Sequence, residues 1–149
     1  MPCTKTHPGR RDPIERLEAA LRDYVDTVAR ESGLTCELQS QLDDRLAPAL
    51  ETILFRVAQE ALTNVVKHAK AHEVMLTVRY TGANVELEVC DDGIGFDPIE
   101  ARAIAGANHF GLIGMRERVA SAGGSFDLHS QPGGGSRIHA VLPREMSQR

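Results

Sequence analysis

The sequence contains no tryptophan, and aromatic residues occupy only 4% of its 149 positions. Platforms on which nucleic-acid bases stack are built from aromatic side chains, so such a platform is not expected here. A basic excess is also missing, because 17 lysines and arginines face 21 aspartates and glutamates, for a net charge of −4. Nucleic-acid-binding domains are usually basic. The composition therefore argues against a nucleic-acid partner.

Cysteines are few, and long hydrophobic runs are absent. Cys3, Cys36 and Cys90 are widely spaced and form no C-x-x-C pair, so we expect free thiols rather than disulfides or a zinc site. No apolar run approaches the roughly 20 residues that cross a bilayer. The first dozen residues also lack the apolar core of a secretory signal. We therefore expect a cytoplasmic segment that makes no membrane contact of its own.

The composition that remains is that of an ordinary globular domain. Hydrophobic residues make up 42% of the chain and charged residues 26%. A chain of this length corresponds to one domain and can bury enough surface to fold without a disulfide or metal. Most of the 13 glycines lie in the second half. This uneven distribution directs attention to the glycine-rich motifs there.

Apolar periodicity predicts helices and strands in alternation. Apolar residues at steps of three and four predict helices, whereas strict alternation predicts strands. The predicted helices cover 13–32, about 49–69 and 111–122, and the predicted strands cover 35–39, 74–80, 85–90, 125–130 and 137–142. This order predicts an α+β fold, a two-layer sandwich in which helices cover one face of a mixed, mostly antiparallel sheet.

The predicted second helix is apolar on one face and polar on the other. Its apolar face comprises Leu54, Ala58, Ala61, Leu62, Val65 and Val66. Glu60, Asn64, Lys67 and His68 follow at i, i+4, i+7 and i+8 on the opposite arc. A carboxamide oxygen can ligate Mg²⁺, and a lysine offers a point charge to a phosphate. Considered alone, the helix leaves open whether this arc is a site or a solvated surface.

Three glycine-containing motifs follow. Asp91 to Gly95 comes directly after an apolar strand, where a carboxylate can accept a hydrogen bond from an amino group such as that of adenine. Gly111 and Gly114 open the third helix, whose exposed N–H groups can bind a phosphate. A third motif, 133–136, joins the last two strands. Each motif in isolation is equally consistent with an ordinary turn or helix start.

The order and spacing of these motifs resemble a known family. The segments Q-E-A-L-T-N-V-V-K-H-A (59–69), D-D-G-I-G-F (91–96), G-L-I-G-M-R-E-R-V (111–119) and P-G-G-G-S (132–136) resemble the N, G1, G2 and G3 boxes of sensor histidine kinases. The first and third are most similar to kinases that partner NarL-type response regulators. The resemblance covers 34–143 and implies the Bergerat ATP-binding fold of the gyrase, mismatch-repair and heat-shock ATPases.

The resemblance implies ATP and Mg²⁺ as cofactors and assigns roles to individual residues. It places Asp91 on the adenine amino group, Asn64 on Mg²⁺, and Glu60 near the γ-phosphate as the catalytic base or water-positioning group. It places Lys67 and His68 near the phosphates, Gly93 and Gly95 on the adenine side, and the Ser136 hydroxyl at the adenine end. It also counts Phe96 among the nucleotide-binding residues. The hinge of a lid over 97–110 would be formed by Gly111, Leu112, Gly114 and Met115.

The resemblance also implies a division of the chain. Positions 1–13 form a flexible lead-in, 14–32 the end of a dimerisation and phosphoacceptor hairpin or a linker helix, 33–143 the ATP-binding domain and 144–149 a tail. His7 lies among helix breakers, so we expect the phosphoacceptor histidine on a segment outside this sequence. The expected partners are that dimerisation segment and a response regulator of the NarL/LuxR type.

The expected activity is that of a protein-histidine kinase. Two alternatives share the fold: a serine kinase or ATPase, and a non-catalytic module that senses nucleotide. The details of the first and third motifs favour the histidine kinase over the other enzymes. The joint presence of Glu60, Asn64 and Asp91 argues against a module that has lost catalysis.

Overall fold

The computed structural model describes residues 16–42, 46–95, 97 and 111–144. The helices are α1 (Arg16–Ser32), α2 (Pro48–Asn64), a π-helical turn (Val65–Ala69) and α3 (Leu112–Ser121). The strands are β1 (Thr35–Gln41), β2 (Glu73–Thr81), β3 (Asn84–Asp91), β4 (Ser125–Ser130) and β5 (Ser136–Pro143). The predicted strands and the third helix are confirmed, with ends that differ by one or two residues, and the second helix is confirmed up to Asn64. The predicted start of the first helix lies outside the described residues.

The five strands form one mixed sheet in the order β1-β2-β3-β5-β4. Among the described strands, only β1 and β2 pair in parallel, because α2 lies between them as a crossover connection. The other three pairs are antiparallel, and β2 and β3 form a hairpin. The predicted α+β class with a mostly antiparallel sheet is therefore confirmed.

The core lies between the helices and one face of the sheet. Alternate residues of β3, such as Val85 and Leu87, are fully buried, while their neighbours face the other side. They pack against α2, where Leu50 and Leu54 are also fully buried. The α1 helix contributes buried residues through one stripe, so it is part of the same core. Among the described residues, no helix combines the length and apolarity needed to cross a membrane.

The end of the second helix differs from the prediction. The α-helix stops at Asn64, and a π turn continues to Ala69. Helical periodicity puts Val66 on the apolar face of the second helix, which is expected to be buried. This prediction is wrong, because the exposed fraction of Val66 is 47%. A π turn contains an additional residue, which rotates the end of the helix relative to the preceding turns. Ala69 consequently packs against the core, although it is not fully buried.

The π turn predicts that alanine substitutions at two residues four positions apart change the free energy of unfolding by different amounts. Leu62 is fully buried, so Leu62→Ala is expected to lower the free energy of unfolding by about 2–5 kcal/mol. Val66→Ala is expected to change it by less than about 0.5 kcal/mol, as at other exposed positions. Urea denaturation of both variants measures the difference. Similar losses in the two variants would indicate a continuous α-helix instead.

Candidate functional site

A cavity of about 220 Å³ lies between the end of α2 and the inner face of the sheet. Its walls are mostly apolar and come from the helix layer and from strands β3, β4 and β5: Ala61, Val65, Ala69, Val89, Ile94, Leu112, Leu128 and Ile138. Four polar side chains complete the lining, namely those of Asn64, His68, Asp91 and Ser136. An apolar cleft with a few polar groups is the usual form of a small-molecule site.

Asp91 is the acidic residue of this lining and ends β3. Its Oδ1 accepts a hydrogen bond from the Gly93 N–H at 2.8 Å. Burial raises the pKa of the Asp91 carboxyl, although hydrogen bonds from the backbone N–H groups of Gly93 and Ser136 oppose this rise. The structure thus holds a half-buried carboxylate in a fixed orientation beside an apolar cleft, where it can accept a hydrogen bond from a ligand.

The loop after Asp91 is held on both sides by backbone contacts. The Ile94 N–H donates to the Ala69 carbonyl at 2.8 Å, which ties the loop to the π turn. The Ile94 carbonyl accepts a hydrogen bond from Gly133 in the β4–β5 turn. A Cβ on Gly93 would collide with the Ala69 carbonyl, and one on Gly95 with the Gln131 carbonyl. Both positions therefore need glycine because the neighbouring backbone lies so close.

Gly95 and Gly82 allow this close approach to be tested. Both have positive φ, 65° and 64°, so alanine at either position carries a similar backbone strain of about 1–2 kcal/mol. Within the described residues, only at Gly95 would a Cβ also meet other atoms, since none of them lies within 4 Å of a Cβ on Gly82. We expect Gly95→Ala to cost a further ~1–3 kcal/mol in unfolding free energy and to weaken ligand binding. Equal unfolding energies for the two variants would contradict this account.

Glu60 lies next to the start of α3 rather than in the cavity lining. Its Oε1 is 2.6 Å from where a Cβ on Gly111 would stand, so the carboxylate packs directly against that glycine. Gly111 has a φ of 66° and caps the N-terminus of α3. Negative charge is favoured at the N-terminus of a helix. Glu60 and Leu112 thus bring the end of α2 and the start of α3 together at one side of the cavity.

The remaining predicted residues fall in different environments. Asn64, His68, Asp91, Gly95, Leu112 and Ser136 line the cavity. Lys67 is exposed on the π turn, Gly114 lies in the first turns of α3, and Met115 is fully buried in the core. Phe96 and most of the predicted lid, 98–110, lie outside the described residues. The roles assigned to all of these residues stay predictions.

The donor atoms at the cavity bear on whether the site could hold a magnesium ion together with a phosphate group. Within the described ranges, no group of three or more histidine, cysteine, aspartate or glutamate residues could hold a metal by itself. Mg²⁺ keeps several waters and commonly takes only one or two protein oxygens besides substrate phosphates. The carboxamide of Asn64, which lines the cavity, meets that requirement. The residues therefore fit a metal that arrives with its phosphate ligand.

Comparison with known proteins agrees with this architecture. Residues 49–146 match the model of the histidine kinase-, DNA gyrase B- and HSP90-like ATPases. The chain belongs to this ATPase family. The match spans the second helix, the site and the last strand, so it includes every element that lines the cavity.

Curated relatives of this ATPase domain are histidine kinases. The chain is 42% identical over 132 residues to the signal transduction histidine-protein kinase/phosphatase DegS of Bacillus subtilis, covering 85% of this chain and 34% of DegS. It is 35% identical over 134 residues to the nitrate/nitrite sensor protein NarX of Escherichia coli, covering 89% of this chain and 21% of NarX. The predicted resemblance to sensor histidine kinases of the NarL-partner group is thereby confirmed. The chain spans about a third of DegS and about a fifth of NarX.

Solved structures show the same fold. The blue-light activated histidine kinase of Erythrobacter litoralis EL346 superposes with a TM-score of 0.71 at 18% identity, over 86% of this chain and 42% of that one. The histidine kinase AdeS of Acinetobacter baumannii gives a TM-score of 0.66 at 13% identity, over 88% and 64% of the two chains. At these identities the similarity concerns the fold alone.

Sequence reasoning missed the apolar walls of this cavity. Val89, Leu128 and Ile138 line the cavity, and none was among the predicted site residues. Strand alternation offered a signal, since Val89 precedes Asp91 by two positions and Ile138 follows Ser136 by two, so each pair shares a face. Arg116 follows Met115 on α3. Its guanidinium lies 5.3 Å from the centre of the Phe126 ring and donates to the Phe126 carbonyl, so this arginine packs on β4.

Proposed function

We propose that this domain binds MgATP and donates the γ-phosphate to a histidine on a dimerisation segment, for relay to a response regulator of the NarL type. The observation that carries the proposal is the half-buried Asp91 carboxylate at the edge of an apolar cleft, with Asn64 on the facing helix. An apolar cleft favours the faces of a purine, and a carboxylate accepts a hydrogen bond from its amino group.

The phosphate end of the site is assigned to the end of α2 and the start of α3. Asn64 would ligate Mg²⁺, which supplies charge neutralisation when bound. Lys67 and His68 would lie near the phosphates, together with the N–H groups at the start of α3. Glu60 would act beside the γ-phosphate as a base or positioning group. The work of the protein in such a transfer is mostly orientation of the reacting groups.

We further propose that residues 33–143 form the catalytic domain and that α1 is the end of the hairpin or linker that connects it to the phosphoacceptor. Three residues of α1, Leu17, Leu21 and Val25, are buried in the shared core, so the helix is attached firmly to the domain. This attachment would transmit a movement of the hairpin to the ATP site. The domain is proposed to work in the cytoplasm, where ATP is available.

Phosphotransfer by the full-length protein tests the proposal. The protein is incubated with Mg²⁺ and ATP labelled on the γ-phosphate, and the stability of the protein-bound label is measured in acid and alkali. An acid-labile, alkali-stable label that moves to a NarL-type regulator supports it. An acid-stable label would identify a serine kinase. Phosphate release without any labelled protein would identify an ATPase. ATP binding without turnover would identify a sensing module. Each of these three outcomes overturns the proposal.

A further inference from the structure

Three polar side chains stand in a row across the sheet at the edge of the cavity. Asp91 on β3 pairs with Ser136 on β5, and Ser136 pairs with Ser130 on β4. Residues directly opposite one another in antiparallel strands project from the same face. All three therefore face the helix layer, with Ser136 in the middle. Asp91 and Ser136 line the cavity, whereas Ser130 lies behind Ser136.

The hydrogen bonds of Ser130 determine the direction of the Ser136 hydroxyl. Ser130 Oγ donates to the Gly135 carbonyl at 3.2 Å and lies 2.8 Å from Ser136 Oγ. A serine hydroxyl has one hydrogen to donate. Either hydroxyl could donate in the short contact between the two. When Ser130 donates to the Gly135 carbonyl, which can only accept, Ser136 is the hydroxyl that donates to Ser130. Ser136 Oγ is then left with only lone pairs for a ligand in the cavity.

Two acceptors consequently face the same part of the cavity, the Asp91 carboxylate and the Ser136 oxygen. A purine with an amino group at C6 carries two N–H donors on that group, one for each of the two acceptors. A purine with an oxo group at C6 presents an acceptor instead, and a buried acceptor without a donor is costly. If Ser136 were free to rotate, its hydroxyl could donate to that oxo group and reduce the discrimination.

We propose that Ser130 is a positioning residue that makes the site select a 6-amino purine over a 6-oxo purine, by holding the Ser136 hydroxyl as an acceptor. The inference deepens the proposed function and rests on it, since it concerns the base of the bound nucleotide. It assigns to the end of β4 a part in base selection that the four motifs did not include, because Ser130 precedes the last of them.

The test compares ATP with inosine triphosphate, which carries an oxo group where adenine carries the amino group. Dissociation constants of both are measured calorimetrically with the intact chain and Mg²⁺. We expect Ser130→Ala to reduce the preference for ATP by about three- to tenfold, the worth of one ordinary hydrogen bond. Ser130→Thr keeps the hydroxyl and is expected to keep the preference. Ser125→Ala on the same strand, at an exposed position facing the other side, is the matched control and is expected to change nothing.

The Ser136→Ala variant, used as a second background, distinguishes a positioning role of Ser130 from general damage to the fold. In Ser136→Ala the hydroxyl that Ser130 orients is gone, so adding Ser130→Ala is expected to leave the ratio of the two dissociation constants unchanged. A ratio that shifts equally with and without Ser136 would overturn the proposal, as would an unchanged ratio in Ser130→Ala alone. Failure of the unaltered chain to bind either nucleotide would instead overturn the proposed function itself, and this inference with it.

Discussion

Replacing Asp91 by asparagine is expected to weaken MgATP binding by about a hundredfold or more, the upper range for a hydrogen bond to a charged group. The carboxylate is acceptor-only, whereas a carboxamide can turn a donor toward the amino group of the base. The fold is expected to survive, because the amide oxygen can still accept from the Gly93 N–H that now lies 2.8 Å from Asp91 Oδ1. Isothermal titration calorimetry measures the loss.

Asp127→Asn is the matched control for this variant, because Asp127 is exposed on β4 and does not line the cavity. Its MgATP affinity is expected to equal that of the unaltered chain. Unchanged affinity in Asp91→Asn would remove Asp91 from the base site.

The pH dependence of MgATP binding provides a second test of the role of Asp91. Burial raises the pKa of Asp91, so this carboxyl takes up a proton at a higher pH than an exposed aspartate does. Protonation removes its negative charge, so the affinity for MgATP is expected to fall as pH decreases through that raised pKa. Asp91→Asn has no carboxyl to titrate at this position, so its residual affinity should not share this decrease. The comparison is made by titrations over a series of pH values.

Replacing Glu60 by glutamine is expected to slow phosphotransfer by about a hundredfold to ten-thousandfold, the usual contribution of a catalytic acid or base. MgATP affinity should change little, since Glu60 does not line the cavity. The glutamine has nearly the same shape, so it can keep the packing of the side chain against Gly111. Single-turnover transfer in the full-length protein measures the rate, and calorimetry measures the affinity.

Glu117→Gln provides the control for Glu60, since Glu117 is an exposed glutamate on α3. Its transfer rate is expected to match the unaltered protein. If Glu60→Gln transfers phosphate at the normal rate, the residue has no catalytic part. If it loses affinity and rate together, its role lies in binding the nucleotide.

The secondary structure could be predicted because burial leaves a local pattern. The strand Val85 to Cys90 alternates strictly, and the structure buries the residues of one parity. The end of the second helix could not be predicted in the same way. A continuous helix would satisfy the periodicity through Val66, but the described π turn brings the Ala69 carbonyl to the Ile94 N–H. That hydrogen bond joins distant parts of the chain, so it cannot be predicted from the periodicity of one helix.

The residues of the candidate site could likewise be predicted only in part from the sequence. Motif spacing marked Asn64, Asp91 and Ser136, and all three line one cavity. It also marked Lys67 and Met115, which the structure places on the surface and in the core, because a motif records residue types without their orientation.

The sequence by itself determined the order of the elements, the buried face of each strand and the motifs that identify the ATPase family. These follow from side-chain chemistry and from the periods of helix and strand, which are properties of short segments. Only the tertiary structure decided that β5 lies between β3 and β4. That strand order brings Asp91, Ser136 and Ser130 side by side. Pairing between strands that are not consecutive in the sequence, such as β3 and β5, is settled by long-range packing and hydrogen bonding, which no short segment encodes.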